Sequence, residues 1–182
     1  MSKLFVDEIV HQSSQGSGTI TIGASGESIT LNGNKILKPN NVAWKARLTG
    51  STQNISSGTW TKINCNTVLY DIGGNYDNTT NFRFTAPVSG YYLLGVSMNN
   101  QLATSSGGYL YCHTYVNGNT DTNSFPFGIR VASAQINSDS QITGTRITYL
   151  NSGDYVEAFG YIEGTSPGFR AGRNWFWGYL LG

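Results

Sequence analysis

The sequence predicts an all-β protein built as a two-sheet antiparallel jelly roll. Charged residues make up only 12% of its 182 residues, whereas aromatic residues reach 13%. Glu, Lys, Ala and Leu are too scarce to fill amphipathic helices, while short apolar runs recur between turns rich in Gly, Ser, Thr and Asn. About nine short strands at this spacing are typical of a two-sheet jelly roll.

The beginning of the chain differs in character from the rest, so we predict an N-terminal attachment arm at 1–40 and a jelly-roll head domain at 41–182. Two alternating runs, Thr19–Ile22 and Ser28–Leu31, flank a glycine-containing turn and predict a β-hairpin. A lone hairpin is marginally stable in water, so we expect three copies to pack around a threefold axis. An apolar cluster opens the arm and is predicted to anchor the protein to a larger particle: Leu4, Phe5, Val6, Ile9 and Val10.

The strands of the head domain are predicted from the alternation of apolar and polar residues and from the turn residues between them. Asn117-Gly118 and Gly153-Asp154 mark two of these turns. The predicted strands are Val42–Leu48, Thr59–Ile63, Asn81–Phe84, Gly90–Met98, Tyr109–Val116, Gly128–Ala134, Ile142–Leu150, Tyr155–Ile162 and Trp175–Leu181.

Three short motifs occur in order along the head domain. Phe84–Tyr92 contains F-x5-G-x-Y, Leu150–Val156 contains L-x2-G-D-x-V, and Phe176–Leu180 reads F-x-G-x-L. Together they resemble the signature of the globular domain of complement component 1q, in the same jelly-roll superfamily as tumour necrosis factor. The resemblance implies a trimeric binding or structural module rather than an enzyme.

Alternation along three predicted strands separates core positions from outward aromatic positions. In Tyr109–Val116, Leu110 and Cys112 share the core face, while the tyrosines share the other. The resemblance implies that the three strands lie in one sheet, which packs against neighbouring subunits. The alternative is a second core, in which loops or the N-terminal arm cover the aromatic face. The predicted homotrimer interface consists of Tyr109, Tyr111, His113, Tyr115, Tyr155, Phe159, Tyr161, Trp175, Trp177 and Tyr179.

The sequence offers little chemistry for catalysis or for cofactor binding. Only two histidines occur, His11 and His113, and no Ser or Cys lies in a nucleophile-elbow setting. No His/Cys cluster has metal-binding spacing, and the carboxylates are scattered, so we expect no metal, no cofactor and no enzymatic activity. Some relatives of the complement-1q type bind calcium near the trimer apex, but no dense acidic motif supports such a site in this chain. Cys112 is predicted to be a buried thiol.

Charge and hydropathy exclude two further classes of partner. The formal net charge is +1 with no basic cluster, which is too weak a patch for nucleic acid. No apolar run is long enough to span a membrane. Asp7 and Glu8 interrupt the N-terminal apolar stretch, so the sequence lacks the uncharged core of a secretory signal.

The preferred hypothesis is a trimeric virion protein of a bacteriophage, namely a fibre, a spike or a decoration protein on the capsid or tail. The arm resembles the N-terminal attachment regions of phage fibre proteins, and the head would point outward, where it could bind a host surface glycan or protein. Phe169, Arg170 and Arg173 are candidate receptor contacts in an exposed loop, although ordinary loop residues are an equal alternative. The alternative function is a secreted complement-1q-like or lectin-like recognition protein. An enzyme of unknown type is the third hypothesis.

Overall fold

The computed structural model describes residues 42–102, 106–120, 127–136 and 139–181 of the chain. The predicted arm at 1–40, with its hairpin and its five anchoring residues, lies outside the described residues. The described part is all-β, as predicted. Its strands in chain order are β1 (Ala43–Arg47), β2 (Gln53–Asn54), β3 (Thr61–Lys62), β4 (Thr67–Ile72), β5 (Tyr76–Asp77), β6 (Arg83–Thr85), β7 (Gly90–Gln101), β8 (Ser106–Val116), β9 (Asn119–Thr120), β10 (Phe127–Ile136), β11 (Gln141–Leu150), β12 (Tyr155–Ile162), β13 (Gly168–Phe169) and β14 (Trp175–Leu180).

These strands form two antiparallel sheets. Sheet I has the order β2-β13-β7-β14-β1-β4, and β11 also pairs with β7 along its whole length. Sheet II has the order β10-β8-β12-β6-β5, with β3 pairing to β12 and β9 pairing to β8. The long strands β7 and β11 pair with each other in sheet I, and β8 and β12 pair in sheet II. These two pairs determine how the side chains on the outer face of each sheet are aligned.

The core lies between the two sheets and is built from the alternate residues of the long strands. In β7 the inward residues are Tyr92, Leu94, Val96 and Met98, and all four are fully buried. Trp44 of sheet I lies flat on Phe84 of sheet II, with 3.6 Å between ring centroids and 3° between ring planes. Stacked aromatic rings contribute beyond the area that they bury, so this pair ties the two sheets together.

All nine predicted strands are present, although several bounds differ. The predicted strand Thr59–Ile63 shrinks to β3, and five short elements were not predicted, of which β4 is the longest. β4 contains the sequence TVLYDI, and its register against β1 shifts at a bulge between Lys45 and Ala46. Such a bulge breaks the regular alternation on which the strand predictions rest.

The prediction that the three aromatic strands share one sheet is wrong. β8 and β12 pair with each other in sheet II, whereas β14 lies in sheet I between β7 and β1. Alternation determines which side chains of a strand face the core, and these were assigned correctly: Leu110, Cys112, Val156, Ala158 and Phe176 are all buried. Alternation says nothing about which strands become neighbours, because that depends on pairing between distant segments.

The prediction that Phe169 is an exposed loop residue is also wrong. Phe169 is fully buried, because β13 pairs with Asn100 and Gln101 at the end of β7 and turns the ring into the core. Its ring occupies the space beside Gly160 of β12, where a Cβ atom would lie 2.5 Å from Phe169 Cε1. The missing side chain at Gly160 therefore makes room for the ring.

Candidate subunit interface and aromatic surface

Sheet I has an outer face that points away from the core, and strand register aligns its residues in rows. One row contains Ala43, Tyr179, Leu93 and Ile147, on β1, β14, β7 and β11 respectively. The next rows run through Trp177 and Gly95, and then through Trp175 and Ser97. This face therefore holds three of the predicted interface residues together: Trp175, Trp177 and Tyr179.

One end of this face is apolar and exposed. Its large hydrophobic side chains include Tyr91 at 56%, Ile147 at 61%, Tyr149 at 52% and Leu181 at 49% relative exposure. Tyr91 and Tyr149 meet edge to face, with 5.2 Å between ring centroids. We call this surface the apolar end of sheet I, and it comprises Tyr91, Leu93, Ile147, Tyr149, Tyr179 and Leu181, with Ile72 on the neighbouring edge strand β4.

The other end of the same face is polar and charged. The hydroxyl oxygen of Ser97 accepts hydrogen bonds from the side chains of Gln141 and Thr143, at 2.7 and 2.8 Å. The Lys45 ammonium lies 4.7 Å from the centre of a Trp175 ring, and the Arg47 guanidinium lies 5.6 Å from it. Cations above an indole ring are attracted by its electron-rich face. The outer face thus changes from apolar to cationic along the strands.

Trp177 occupies the middle of the outer face of sheet I. Its indole covers Gly95 on β7, where an added Cβ atom would lie 2.1 Å from the ring. The ring is therefore half-buried against its own sheet, at the boundary between the apolar and the cationic ends.

The outer face of sheet II carries the other predicted interface residues, on β8 and β12. Tyr115 and Phe159 stack closely, with 3.9 Å between centroids and 14° between planes. Trp60, which precedes β3, packs against the aromatic residues of this face. The centroid distances from Trp60 are 6.3 Å to Tyr111, 6.4 Å to His113, 6.1 Å to Tyr115 and 5.6 Å to Tyr161. Trp60 therefore covers part of this aromatic face.

The described charged groups on the outer face of sheet II contact other groups of the same subunit. Lys62 Nζ lies 2.7 Å from Glu157 Oε1, and Lys62 pairs with Phe159 across the strands. The Tyr161 hydroxyl donates to Glu163 at 2.7 Å. This bond raises the pKa of the Tyr161 phenol, because ionisation would break it and place two negative charges side by side.

Arg170 and Arg173, the two charged candidates for receptor contact, lie near the end of β7 and share one carboxylate. Both nitrogen-to-oxygen contacts of Arg173 to Asp139 are short, at 2.6 and 2.7 Å, and Arg170 lies 3.3 Å away. The buried Asn174 accepts a hydrogen bond from the Asn99 amide and donates to the Arg170 carbonyl. These residues form a fixed polar corner.

The described residues contain no group of three His, Cys, Asp or Glu side chains that could hold a metal ion. Cys65 and Cys112 are buried free thiols, as predicted for Cys112. Burial raises the pKa of both thiols to about 12, so neither is a reactive thiolate at neutral pH. In the part of the chain that is described, no helix is long and apolar enough to cross a membrane.

Sequence reasoning identified Tyr179 but missed most of the other residues that make the apolar end of sheet I. Tyr91 and Leu93 on β7, and Ile147 and Tyr149 on β11, alternate with core residues in strands that were predicted with nearly correct bounds. The same alternation that was applied to β8 would have placed them outward. Trp60 lies in the predicted strand Thr59–Ile63, but it is the one aromatic residue of that strand, so alternation indicated no aromatic face there.

The strand order and the two packed sheets define a jelly roll of the complement-1q and tumour necrosis factor type. The globular domain of zebrafish complement 1qA matches with a TM-score of 0.56 at 17% identity, covering 78% of this chain and 98% of that chain. Eiger TNF from S. frugiperda matches with a TM-score of 0.58 at 11% identity, covering 79% and 94%. Murine APRIL matches at 0.53 and 11%, covering 78% and 99%. These identities establish the fold alone, and neither protein-family models nor curated protein sequences match the chain.

Proposed function

We propose that this protein is a non-enzymatic, homotrimeric head whose subunits associate through the apolar end of sheet I. The observation that carries the proposal is a contiguous set of large hydrophobic side chains, roughly half-exposed, at one end of the outer face of sheet I. Soluble monomers rarely expose contiguous apolar patches larger than a few hundred Å². The number three comes from the sequence motifs that resemble the complement-1q signature.

Area and charge both favour a contact at this end of the sheet. A buried aromatic side chain removes about 150–250 Å² from water, and a standard interface needs about 800 Å² per partner. The exposed parts of the apolar side chains, together with the chain around them, approach that size. Lys45 and Arg47 have only Trp175 as a described counter-group, and burial of unpaired charge is costly. The cationic end is therefore expected to stay at the rim or outside the contact.

Of the interface residues that the sequence predicted, this proposal retains three in the contact and excludes those on β8 and β12. Tyr179 belongs to the centre of the contact, Trp177 to its boundary and Trp175 to its rim. The residues of β8 and β12 lie on the opposite side of the sandwich, so they face away from this contact.

A matched pair of substitutions on one strand tests the interface. Ile147 and Thr143 both point outward from β11, but Ile147 lies at the apolar end and Thr143 at the polar end. Ile147→Asp should convert the trimer into folded monomers, because it places a carboxylate in the centre of the contact. Thr143→Asp should leave the trimer intact. Light scattering after size exclusion measures the mass, and circular dichroism checks the fold. A trimeric Ile147→Asp variant would show that subunits do not meet at this end.

The second part of the proposal concerns where the head is used, and it rests on the sequence of the arm. We propose that the head is carried on a bacteriophage particle and that Leu4, Phe5, Val6, Ile9 and Val10 attach it. Deletion of residues 1–40 should abolish attachment to particles and leave the trimeric mass of the head unchanged. Attachment of the truncated head to particles would contradict the assigned role of the arm. A secreted recognition protein would instead be absent from purified particles.

A further inference from the structure

We propose that the aromatic surface around Trp60, on the outer face of sheet II, is a binding site for a neutral glycan. The inference goes beyond the proposed function, because it assigns a ligand class to the head. The site lies within one subunit, on the side of the sandwich opposite to the apolar end of sheet I. Its occupation therefore does not require the trimer.

Three rings form a row with similar orientation. Tyr109 and Tyr111 lie with their centroids 5.4 Å apart and their planes 21° apart. Trp60 continues the row, with its centroid 6.3 Å from that of Tyr111 and an angle of 27° between the planes. Tyr161 flanks both Trp60 and Tyr111, at 5.6 and 5.8 Å. All four residues are half-buried, so each keeps part of its surface accessible.

The row is held rigidly by its surroundings. Trp60 packs against four aromatic rings, and the Tyr161 hydroxyl is fixed by its bond to Glu163. The second oxygen of Glu163 accepts the backbone N–H of Tyr109 at 3.2 Å, so the carboxylate is fixed at both oxygens. Tyr and Trp side chains supply large contact areas with few rotatable bonds. A site that is ordered before binding spends little free energy on ordering its side chains.

Charge determines which ligand class fits this surface. Lys62 and Glu157 neutralise each other at 2.7 Å, and the Arg83 guanidinium stacks on Tyr155, 4.2 Å from the ring centre. The Glu163 carboxylate is engaged by an O–H and an N–H donor. Among the side chains that the structure describes, this surface therefore offers no unpaired cation to a phosphate, sulfate or uronate group, and the Glu163 carboxylate, which has no cationic partner there, disfavours anions. A neutral ligand matches it.

A neutral sugar also matches the aromatic rings and the hydrogen-bonding groups of this surface. The C–H face of a pyranose ring is flat and apolar and packs on an aromatic ring, whereas the hydroxyl groups at its rim need hydrogen-bond partners. A carboxylate has about four lone-pair positions, so Glu163 keeps acceptor capacity after its two internal bonds, and phenol groups both donate and accept. Successive sugars of a chain can follow the row of rings. A proline-rich peptide also packs on aromatic surfaces, and it is a competing outcome in the test.

The experiment uses the full-length protein. We would screen it against an array of neutral gluco-, galacto-, manno- and N-acetylglucosamine oligosaccharides, with a heparin hexasaccharide as the charged comparison and decaproline as the peptide. The affinity for each oligosaccharide that binds on the array would then be measured by titration calorimetry. The proteins compared are the unchanged protein and the variants Trp60→Ala, Trp60→Phe and Trp175→Ala. Trp175→Ala removes an indole from the outer face of the other sheet and is the matched control.

The expected result is saturable binding of a neutral oligosaccharide that Trp60→Ala weakens on the order of thirtyfold, as for a central aromatic contact. Trp60→Phe should recover part of the affinity, and Trp175→Ala should leave it unchanged. If Trp60→Ala does not fold, nuclear magnetic resonance of the unchanged protein replaces it as the test. The indole N–H resonance of Trp60 is then expected to shift as the oligosaccharide is added. Binding that survives Trp60→Ala, binding of decaproline alone, or no binding of any neutral glycan would overturn the site. Native mass is measured on the same samples, so loss of the glycan site and loss of the trimer are distinguishable.

Discussion

Removal of the Phe169 ring is expected to destabilise the folded subunit by about 3–5 kcal/mol. The ring is completely buried between the sheets and is held there by the pairing of β13 with β7. Replacement by alanine removes the whole ring and leaves a cavity, and both changes lower the free energy of unfolding. A solvent-exposed receptor contact at this position would change that free energy by less than about 0.5 kcal/mol.

The neighbour of Phe169 across the core gives a second, coupled test. A Cβ atom on Gly160 would lie 2.5 Å from Phe169 Cε1 and 2.5 Å from Met98 Sδ. Gly160→Ala should therefore cost about 1–3 kcal/mol by overpacking. In the Phe169→Ala background the clash with the ring is removed, and the Met98 side chain can move into the vacated space. The double variant should then be more stable than the sum of the two single changes by about 0.5–3 kcal/mol.

Urea-induced unfolding followed by tryptophan fluorescence measures these differences, at one fixed protomer concentration because association contributes to stability. Arg170→Ala is the control, since its side chain is at the surface and its ion pair with Asp139 is exposed. That pair contributes about 0–1 kcal/mol. A Phe169→Ala variant as stable as this control, with strictly additive behaviour in the double variant, would refute the placement of the ring.

Three further outcomes are expected. Backbone N–H groups of the following turn hold the pKa of Asp77 well below its usual range, so its contribution to stability is present above about pH 4 and is lost as the pH falls further. Asp77→Asn should therefore show a smaller loss of the urea midpoint on acidification. Cys65 and Cys112 should react with a thiol reagent only after unfolding, as a colorimetric titration would show. Phe176→Ala should lower subunit stability by about 3–5 kcal/mol, whereas Trp177→Ala should mainly weaken association, measured by dilution in light scattering.

The fold was predictable from local sequence because its long strands alternate regularly. In β8 and β12, the apolar residues at every second position face the core as predicted, and Phe176 in β14 does the same. Two of the three complement-1q-like motifs span turns between strands, from β6 to β7 and from β11 to β12, and the third lies within β14. β4 escaped prediction, since its bulge interrupts alternation and Leu69 and Tyr70 are both exposed.

The interface was harder to predict because it depends on which distant strands become neighbours. Trp175 and Tyr111 both lie outward on their strands, but they belong to opposite faces of the sandwich. The position of Phe169 depends on the lack of a side chain at Gly160, a tertiary relation that local composition does not encode. The polar residues around it indicated a surface loop, and they do form one, except for the two residues of β13.

The most direct test of the central claim is the native mass of the full-length protein in dilute solution, measured by light scattering after size exclusion. Association through the apolar end of sheet I predicts a mass about three times that of the 19.7 kDa chain, insensitive to salt because the contact is apolar. A monomer at all concentrations would contradict the account, because the exposed side chains of Tyr91, Ile147 and Tyr149 would then have no partner surface.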